Sequence, residues 1–218
     1  MLYDLVAARD NVRNRDGRRV FYLGSGDQLT SQARDWLQAQ RIEILPASKA
    51  RPERWRLLGG GYLEEKPEHM THLNGDTLVE KTHPRIGFRG AIDTLEAEIL
   101  LCGKAIPRLQ QELAEILNLA RGLIRCEVMN EPVAQGRLLG LTEHQLREQS
   151  HRPQDFFGKP HFMPDFGDNE QVLLLNRVRC AARHAERMAV AAVPEREDIL
   201  RALNRMSSAV YILMIKEK

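Results

Sequence analysis

Arg179, Arg183 and Glu186 recur at i, i+4 and i+7 in RVRCAARHAER, so on a helix they share one face beside an Ala/Val/Met stripe, with Arg187 following. Guanidinium groups one turn apart repel by roughly a few tenths of a kcal/mol. The group reads either as one wall of a phosphate site or as a solvated face on which Glu186 neutralises its neighbours. About twenty residues on, Asn204, Ser207, Ser208 and Tyr211 interrupt an otherwise apolar stripe. Buried amides and hydroxyls need partners, either a ligand or one another. A third cluster, DTLVEKTHPRIGFRGAIDTLEA, sets Lys81 and Arg85 ahead of a helix that carries Asp93 two turns in. A lysine on a loop beside a helix N-terminus neutralises phosphate oxygens, and Asp93 could fix the fork of one of the arginines in RVRCAARHAER. The alternative is an ordinary helix entry with Pro84 as punctuation and Asp93 as a surface acid.

Other candidates carry less. His69, His72 and His83 lack a cysteine or carboxylate at ligand spacing, and His144, His151 and His161 are scattered, so no metal site is expected. Gly59 to Gly61 lack the Lys-Ser/Thr of a phosphate loop and do not sit between a strand and a helix.

The elements that must position these residues are mostly helical. RRVFYL, LTSQARDWLQAQ and RIEIL read as strand, helix and strand, with Thr30 or Ser31 as the helix cap, and predict a small α/β appendage. The Pro-, Gly- and charge-rich stretch that follows reads as a linker, dividing the chain into residues 1–63 and 64–218. Five helices are expected after it. The first carries Ile92, Leu95, Ile99 and Cys102 on one stripe and closes at Gly103; the second opens at Pro107 and stops before Glu131-Pro132. The third starts from a capping box of Thr142 and Gln145, with Leu141 stapled to Leu146. HRPQDFFGKPHFMPDFGD is too broken for a regular element and reads as an ordered loop. Asp168 is the expected cap of the fourth helix, and Pro194 the start of the fifth, whose SAVYILMI end is apolar nearly all round and must be buried.

The 32 Lys and Arg nearly cancel the 30 Asp and Glu, which removes the bulk electrostatic footprint of a nucleic-acid binder, so an anion site must be local. Three scattered cysteines argue against a disulfide framework and for a reducing compartment. No apolar run reaches signal-peptide or membrane-span length, which predicts a soluble, cytoplasmic protein without membrane partners.

Taken together these segments resemble the ATP:cob(I)alamin adenosyltransferases, most closely the ethanolamine-utilisation branch and more distantly the propanediol-utilisation branch, over about residues 66–218. Val79, Lys81, Pro84 and Arg85 match Val-x-Lys-x-x-Pro-Arg; Gly90, Asp93 and Leu95 match Gly-x-x-Asp-Glu-Leu. Arg179, Arg183, Glu186 and Arg187 match Arg-x-x-x-Arg-Arg-x-Glu-Arg, with His184 in place of an arginine. Leu203, Asn204, Arg205 and Ser207 match Leu-Asn-Arg-x-Ser-Asp, with Ser208 in place of the aspartate. MTHLNGD stands where the propanediol branch has a Thr-x-Thr-Gly-Asp-x-Gly phosphate loop, and the His and clustered-Cys motif of some ethanolamine-branch members is absent.

The resemblance implies a mainly α fold, a five-helix bundle of the cobalamin adenosyltransferase type behind a small α/β appendage. It implies transfer of the 5′-deoxyadenosyl group of ATP to cob(I)alamin, with Mg²⁺ accompanying ATP, in a homotrimer whose sites lie between subunits. The same resemblance assigns Arg179, Arg183, Glu186 and Asp93 to catalysis, with Glu186 orienting the arginines and Asp93 pairing with Arg179 across a subunit boundary. Lys81, Asn204, Thr71, His72, Asn74 and Arg187 fall to ATP, and Phe162 or Phe166 to the corrinoid. A non-catalytic corrinoid carrier or adaptor docked to a bacterial microcompartment is the alternative, and it would have no need of a triphosphate site.

Overall fold

In the computed structural model, which describes residues 1–15, 18–47 and 55–218, the chain divides into two compact units, Met1–Arg56 with Gly60–Glu65, and Leu57–Gly59 with Lys66–Lys218. The first unit is built from short strands and two helices. β1 (Leu2–Tyr3) leads into α1 (Leu5–Asp10), and β2 (Arg13–Arg15) turns back antiparallel onto β3 (Arg18–Leu23). β4 (Gln28–Leu29) pairs parallel with β1, and α2 (Ser31–Ala39) crosses over to β5 (Glu43–Pro46), which lies parallel to β3 with Val20 opposite Glu43. Thr30 is the cap of α2, accepting from the Ala33 amide at 3.3 Å. Ala8, Phe21, Leu29, Ala33, Leu37 and Ile42 form this unit's core. The strand-helix-strand reading therefore holds, while α1 and three of the two- or three-residue strands were too short to show a periodicity. Of the stretch expected as a linker, residues 48–54 lie outside the described residues. Beyond them, β6 (Trp55–Leu57) pairs antiparallel with β7 (Tyr62–Leu63), across a turn in which Gly60 and Gly61 take φ of 98° and 89°.

The second unit opens with a hairpin of β8 (Met70–Asn74) and β9 (Thr77–Glu80), around the two-residue turn Gly75-Asp76. A Gly-Asp pair between two strand-like runs is a hairpin signal, with Gly75 at φ 51°, that the helix-dominated reading passed over. Its helices are α3 (Pro84–Ala105), α4 (Gln110–Met129), α5 (Glu143–His151), α6 (Pro153–Phe157), α7 (Glu170–Ala192) and α8 (Glu197–Glu217). The fold is thus mainly α behind a small strand-containing appendage. α7 packs between α3 and α8, α4 lies on α3, and α5 lies on α8. Phe88, Ile92, Leu95 and Ile99 of α3 meet Val172, Leu175, Val178 and Ala182 of α7 and the apolar face of α8 in one buried cluster. The SAVYILMI end of α8 is buried as expected: Ala209, Val210 and Ile212–Ile215 are each 2% exposed or less. α3 and α7 approach closely enough that a Cβ on Gly87 would stand 2.8 Å from the Met188 methyl.

Several helix ends differ from expectation. Gly103 does not close α3, because it packs beneath Leu113 and the helix runs on to Ala105. Pro107 opens a single 3₁₀ turn, and α4 begins three residues later. Asn130 ends α4 in the left-handed region at φ 54°, ahead of Glu131-Pro132. The Thr142–Gln145 capping box forms. Asn169, not Asp168, caps α7, accepting from the Val172 amide at 2.9 Å; Asp168 instead pairs with Lys218 and caps the Asp165 amide. α8 starts at Glu197 rather than Pro194, with Arg196 in the N-cap position outside helical geometry. The expected loop is interrupted by the single-turn α6. No helix among the described residues is long and apolar enough to cross a membrane.

Arg196 and Asp198 form a clip. Arg196 donates to Asp198 (2.8 and 2.9 Å) and to the Cys126 and Glu131 carbonyls (3.1 and 2.7 Å), while Asp198 accepts from the Val133 amide at 2.9 Å. The Arg196 guanidinium holds the Asp198 carboxyl well below the usual carboxylate range. A carboxyl depressed on folding contributes stability that is present above its unfolded pKa of about 3.9 and is lost as pH falls toward the lower folded value. The melting temperature is accordingly expected to fall on acidification below about pH 4. Asp198→Asn should be less stable at pH 7 but show a shallower acid decline, which thermal unfolding across pH 3 to 7 would read out. An unchanged slope in that variant would remove Asp198 as the source.

Candidate functional site

α8 packs against α7 on one side and α5 on the other, and an open cleft of about 830 Å³ lies between them. α7 supplies Asn176, Arg179 and Arg183 to its wall, as three positions on one helix face must. α8 supplies Asn204, Arg205, Ser207, Ser208 and Tyr211 as its floor. Thus the basic face of α7 and the polar interruptions of α8, picked out separately by spacing, line one cavity. Arg147, Ser150 and His151 of α5 and residues His161–Pro164 complete it.

Two polar groups on α8, Asn204 and Tyr211, find long-range partners. The Asn204 amide nitrogen donates to Glu186 Oε1 at 2.9 Å, and its oxygen accepts from Arg205. Glu186 therefore holds Asn204, whereas its expected role was to orient the arginines. Arg179 forks onto Asn176 Oδ1, with Nε at 3.2 Å and Nη2 at 3.0 Å, and its guanidinium lies 5.9 Å over the Tyr211 ring. Within the chain it takes Asn176 and not Asp93, which stands exposed on α3. Asn176 precedes Arg179 by three residues and so shares its face, a signal the sequence reading left unused. Arg183 projects into the cleft, exposed, with no hydrogen bond or ion pair among the described residues.

An aromatic wall faces these arginines. Tyr211 is flanked by His161 and Phe162, each with its ring centroid 5.8 Å away, and its hydroxyl accepts from the Phe162 amide at 3.2 Å. His161 Nε2 donates to the His151 carbonyl at 2.8 Å, and Nδ1 lies 3.2 Å from the Tyr211 hydroxyl. Lys159 Nζ donates to the Ile215 carbonyl at 2.9 Å, strapping this loop to α8. Phe162 thereby becomes part of the cleft. Phe166 does not: it is fully exposed and outside the lining. His151 and His161, scattered in sequence, meet only because α5 and the loop fold over α8.

The remaining expected residues stand apart from this cleft within one chain. Thr71, His72 and Asn74 lie on β8, and Lys81 follows β9, its backbone amide donating to the His69 carbonyl at 2.9 Å. Lys81, Arg187 and Asp93 are exposed, and none of the six lines the cleft. His83 caps α3, its Nδ1 accepting from the Arg85 amide at 3.2 Å. Behind that entry, Arg85 and Arg89, one turn apart, converge on Glu127 of α4, whose side chain is fully buried. Arg89 Nε meets one carboxylate oxygen at 2.8 Å, Arg85 Nε meets the other, and Arg85 Nη2 reaches the Glu127 carbonyl at 3.1 Å. Glu127 was missed because an acid in an amphipathic helix carries no local sign of burial. Burial pushes the Cys102 thiol up to about 11, so it stays protonated and inert at neutral pH.

Comparison with known proteins agrees with these features. The family described as cobalamin adenosyltransferase matches residues 61–217. The corrinoid adenosyltransferase EutT of Salmonella typhimurium is 32% identical over 216 residues, covering 96% of this chain and 80% of that protein. The protein of the same name from Escherichia coli K12 is 31% identical over the same shares. With the profile spanning the whole helical unit and relatives aligned across nearly all its residues, this chain belongs to the cobalamin adenosyltransferase family.

Proposed function

We propose that the protein transfers the 5′-deoxyadenosyl group of ATP to cob(I)alamin, releasing the triphosphate, in ethanolamine utilisation. The observation that carries this reading is the convergence of Arg179, Arg183 and Asn204 with the Phe162–Tyr211 wall on one cleft. The cobalt(I) lone pair attacks C5′ of the ribose, the Co–C bond forms as the C5′–O bond breaks, and the triphosphate departs with the bonding pair. Cobalt rises formally from +1 to +3. Because the nucleophile is the corrinoid itself, the protein's tasks are placement and charge stabilisation.

Arg179 and Arg183 stabilise the charge growing on the leaving triphosphate. Asn204, held between Glu186 and Arg205, presents a fixed amide to the nucleotide. Phe162, backed by Tyr211, offers an apolar surface that keeps water and an axial base from cobalt. The cleft's lining holds no carboxylate, since Ser208 stands where the family has aspartate, so Mg²⁺ would enter on the phosphates of ATP and no step is assigned to it.

Lys81, Thr71, His72, Asn74, Arg187 and Asp93 complete the site from a second copy of the chain. Their separation from the cleft within one chain, and the exposure of all but the half-buried Thr71, support a homotrimer with shared sites, in which Asp93 pairs with Arg179 of a neighbour. The helical unit serves as the transferase domain, and residues 1–63 as an appendage; the location is cytoplasmic or within a microcompartment. A corrinoid carrier is not favoured, because a carrier gains nothing from cations placed for a triphosphate. Incubating the protein with ATP and cob(I)alamin under strong reductant should give the adenosylcobalt spectrum. ATP binding without that spectrum would overturn the reading.

A further inference from the structure

Four arginines line the cleft, and they fall into two groups. Arg179 and Arg183 stand on α7, whereas Arg147 comes from α5 and Arg205 from the α8 floor. Among the described residues neither member of the second group forms an ion pair with a carboxylate, and they stand on two different helices. Arg147 is exposed and makes no side-chain hydrogen bond or ion pair among the described residues. Arg205 donates to Asn204, but its Nε is buried without a partner among the described residues. Burial, followed by the neighbouring Arg147 charge, pushes the Arg205 guanidinium below its ordinary range, even with Glu143 and Glu186 pulling the other way. Two like charges held together, one with a buried orphan N–H, are relieved by an anion placed between them.

Arg205 also borders a smaller cavity of about 170 Å³, but there Glu115, Glu143 and Asp198 already offset Arg137, Arg201 and Arg205, whereas no carboxylate among the described residues lines the cleft. The anion therefore belongs on the cleft side, beside Ser150. Arg147 and Arg205 come from α5 and α8, off the helix whose Arg179–Arg183 pair suits an extended triphosphate. A corrinoid presents neutral amides around its ring and one negative charge, on the phosphodiester of its nucleotide tail.

We infer that Arg147 and Arg205 form a second phosphate subsite, separate from the Arg179–Arg183 wall, which takes the phosphodiester of the corrinoid's nucleotide tail. The inference rests on the transferase reading above for the presence of a corrinoid. It makes Arg147 a residue that distinguishes complete corrinoids from those lacking the tail.

The test is equilibrium binding of cob(II)alamin and of cob(II)inamide, which has no nucleotide phosphodiester, to the intact protein with ATP present. Wild type should bind cobalamin about tenfold more tightly than cobinamide, the worth of one charge-assisted contact. Arg147→Gln, on the exposed face of α5, should erase that preference while leaving cobinamide and ATP affinities unchanged. Arg205→Lys should reduce it partially. Loss of ATP affinity in Arg147→Gln, with the corrinoid preference intact, would assign the pair to the triphosphate and overturn the proposal. So would equal weakening of both corrinoids, or no preference in wild type. Because binding is read without turnover, a preserved preference in a protein that forms no adenosylcobalt would sink the transferase reading and leave the subsite standing.

Discussion

Arg183→Ala is expected to lower kcat/KM for adenosyl transfer by roughly 10²–10³-fold, while its melting temperature moves by no more than about 2 °C. Arg183 is exposed in the cleft and makes no contact that the fold depends on. Its charge is therefore free for the ligand. The triphosphate carries more negative charge once the C5′–O bond has broken than in bound ATP, so a cation beside it is worth more in the transition state than in the ground state. The loss should consequently appear in kcat as well as in KM for ATP, whereas a residue that only tethers ATP would change KM alone. Arg179 is a less clean target, because it also stacks on Tyr211 and forks onto Asn176. A folded Arg183→Ala protein with unaltered kcat/KM would remove α7 as the phosphate wall.

The largest effect on stability is expected from Glu127→Ala, a loss of about 3–5 kcal/mol. For a chain of this size that corresponds to a melting temperature lower by roughly 10 °C. Among the described residues Glu127 is the one acid that pairs with Arg85 and Arg89, and its side chain has no exposure to water. Its removal leaves two guanidinium groups facing each other in a partly buried pocket, where Arg89 Nη2 already lacks a partner. The cost comes from the orphaned charges more than from the lost attraction. Glu127→Gln should recover only part of the loss, since a neutral amide accepts a hydrogen bond without cancelling either charge. Replacing all three residues with apolar side chains should cost far less than Glu127→Ala alone, a result that thermal unfolding of the four proteins would check. Equal losses would point to packing instead.

Glu127 also bears on function, because its arginines lie on the first turns of α3, directly after the Lys81 loop. The clamp fixes where that entry sits on α4, so Glu127 variants that remain folded should raise KM for ATP.

The helices were legible from local order. Apolar residues at helical spacing marked α3, α4, α7 and α8, and the Thr142–Gln145 box marked the start of α5, because such information lies within one or two turns. Ends were read less well where capping chemistry competed: Asn169 and Asp168 are adjacent and both suited to cap α7, and the choice went to Asn169 once Lys218 took Asp168. The appendage was only partly readable, since strands of two or three residues carry no period.

For the site, residue types and spacing were enough to place Arg179 and Arg183 on one helix face and to mark Asn204 and Tyr211 as polar groups needing partners. Which partners they take was settled by helix crossings: Glu186 with Asn204, His161 with Tyr211, Arg85 and Arg89 with Glu127. Each pair joins residues 18 to 50 positions apart on different elements. Helical periodicity states which side of a helix a residue occupies, but the neighbour opposite depends on how α3, α4, α5, α7 and α8 pack, and packing is a property of the whole core.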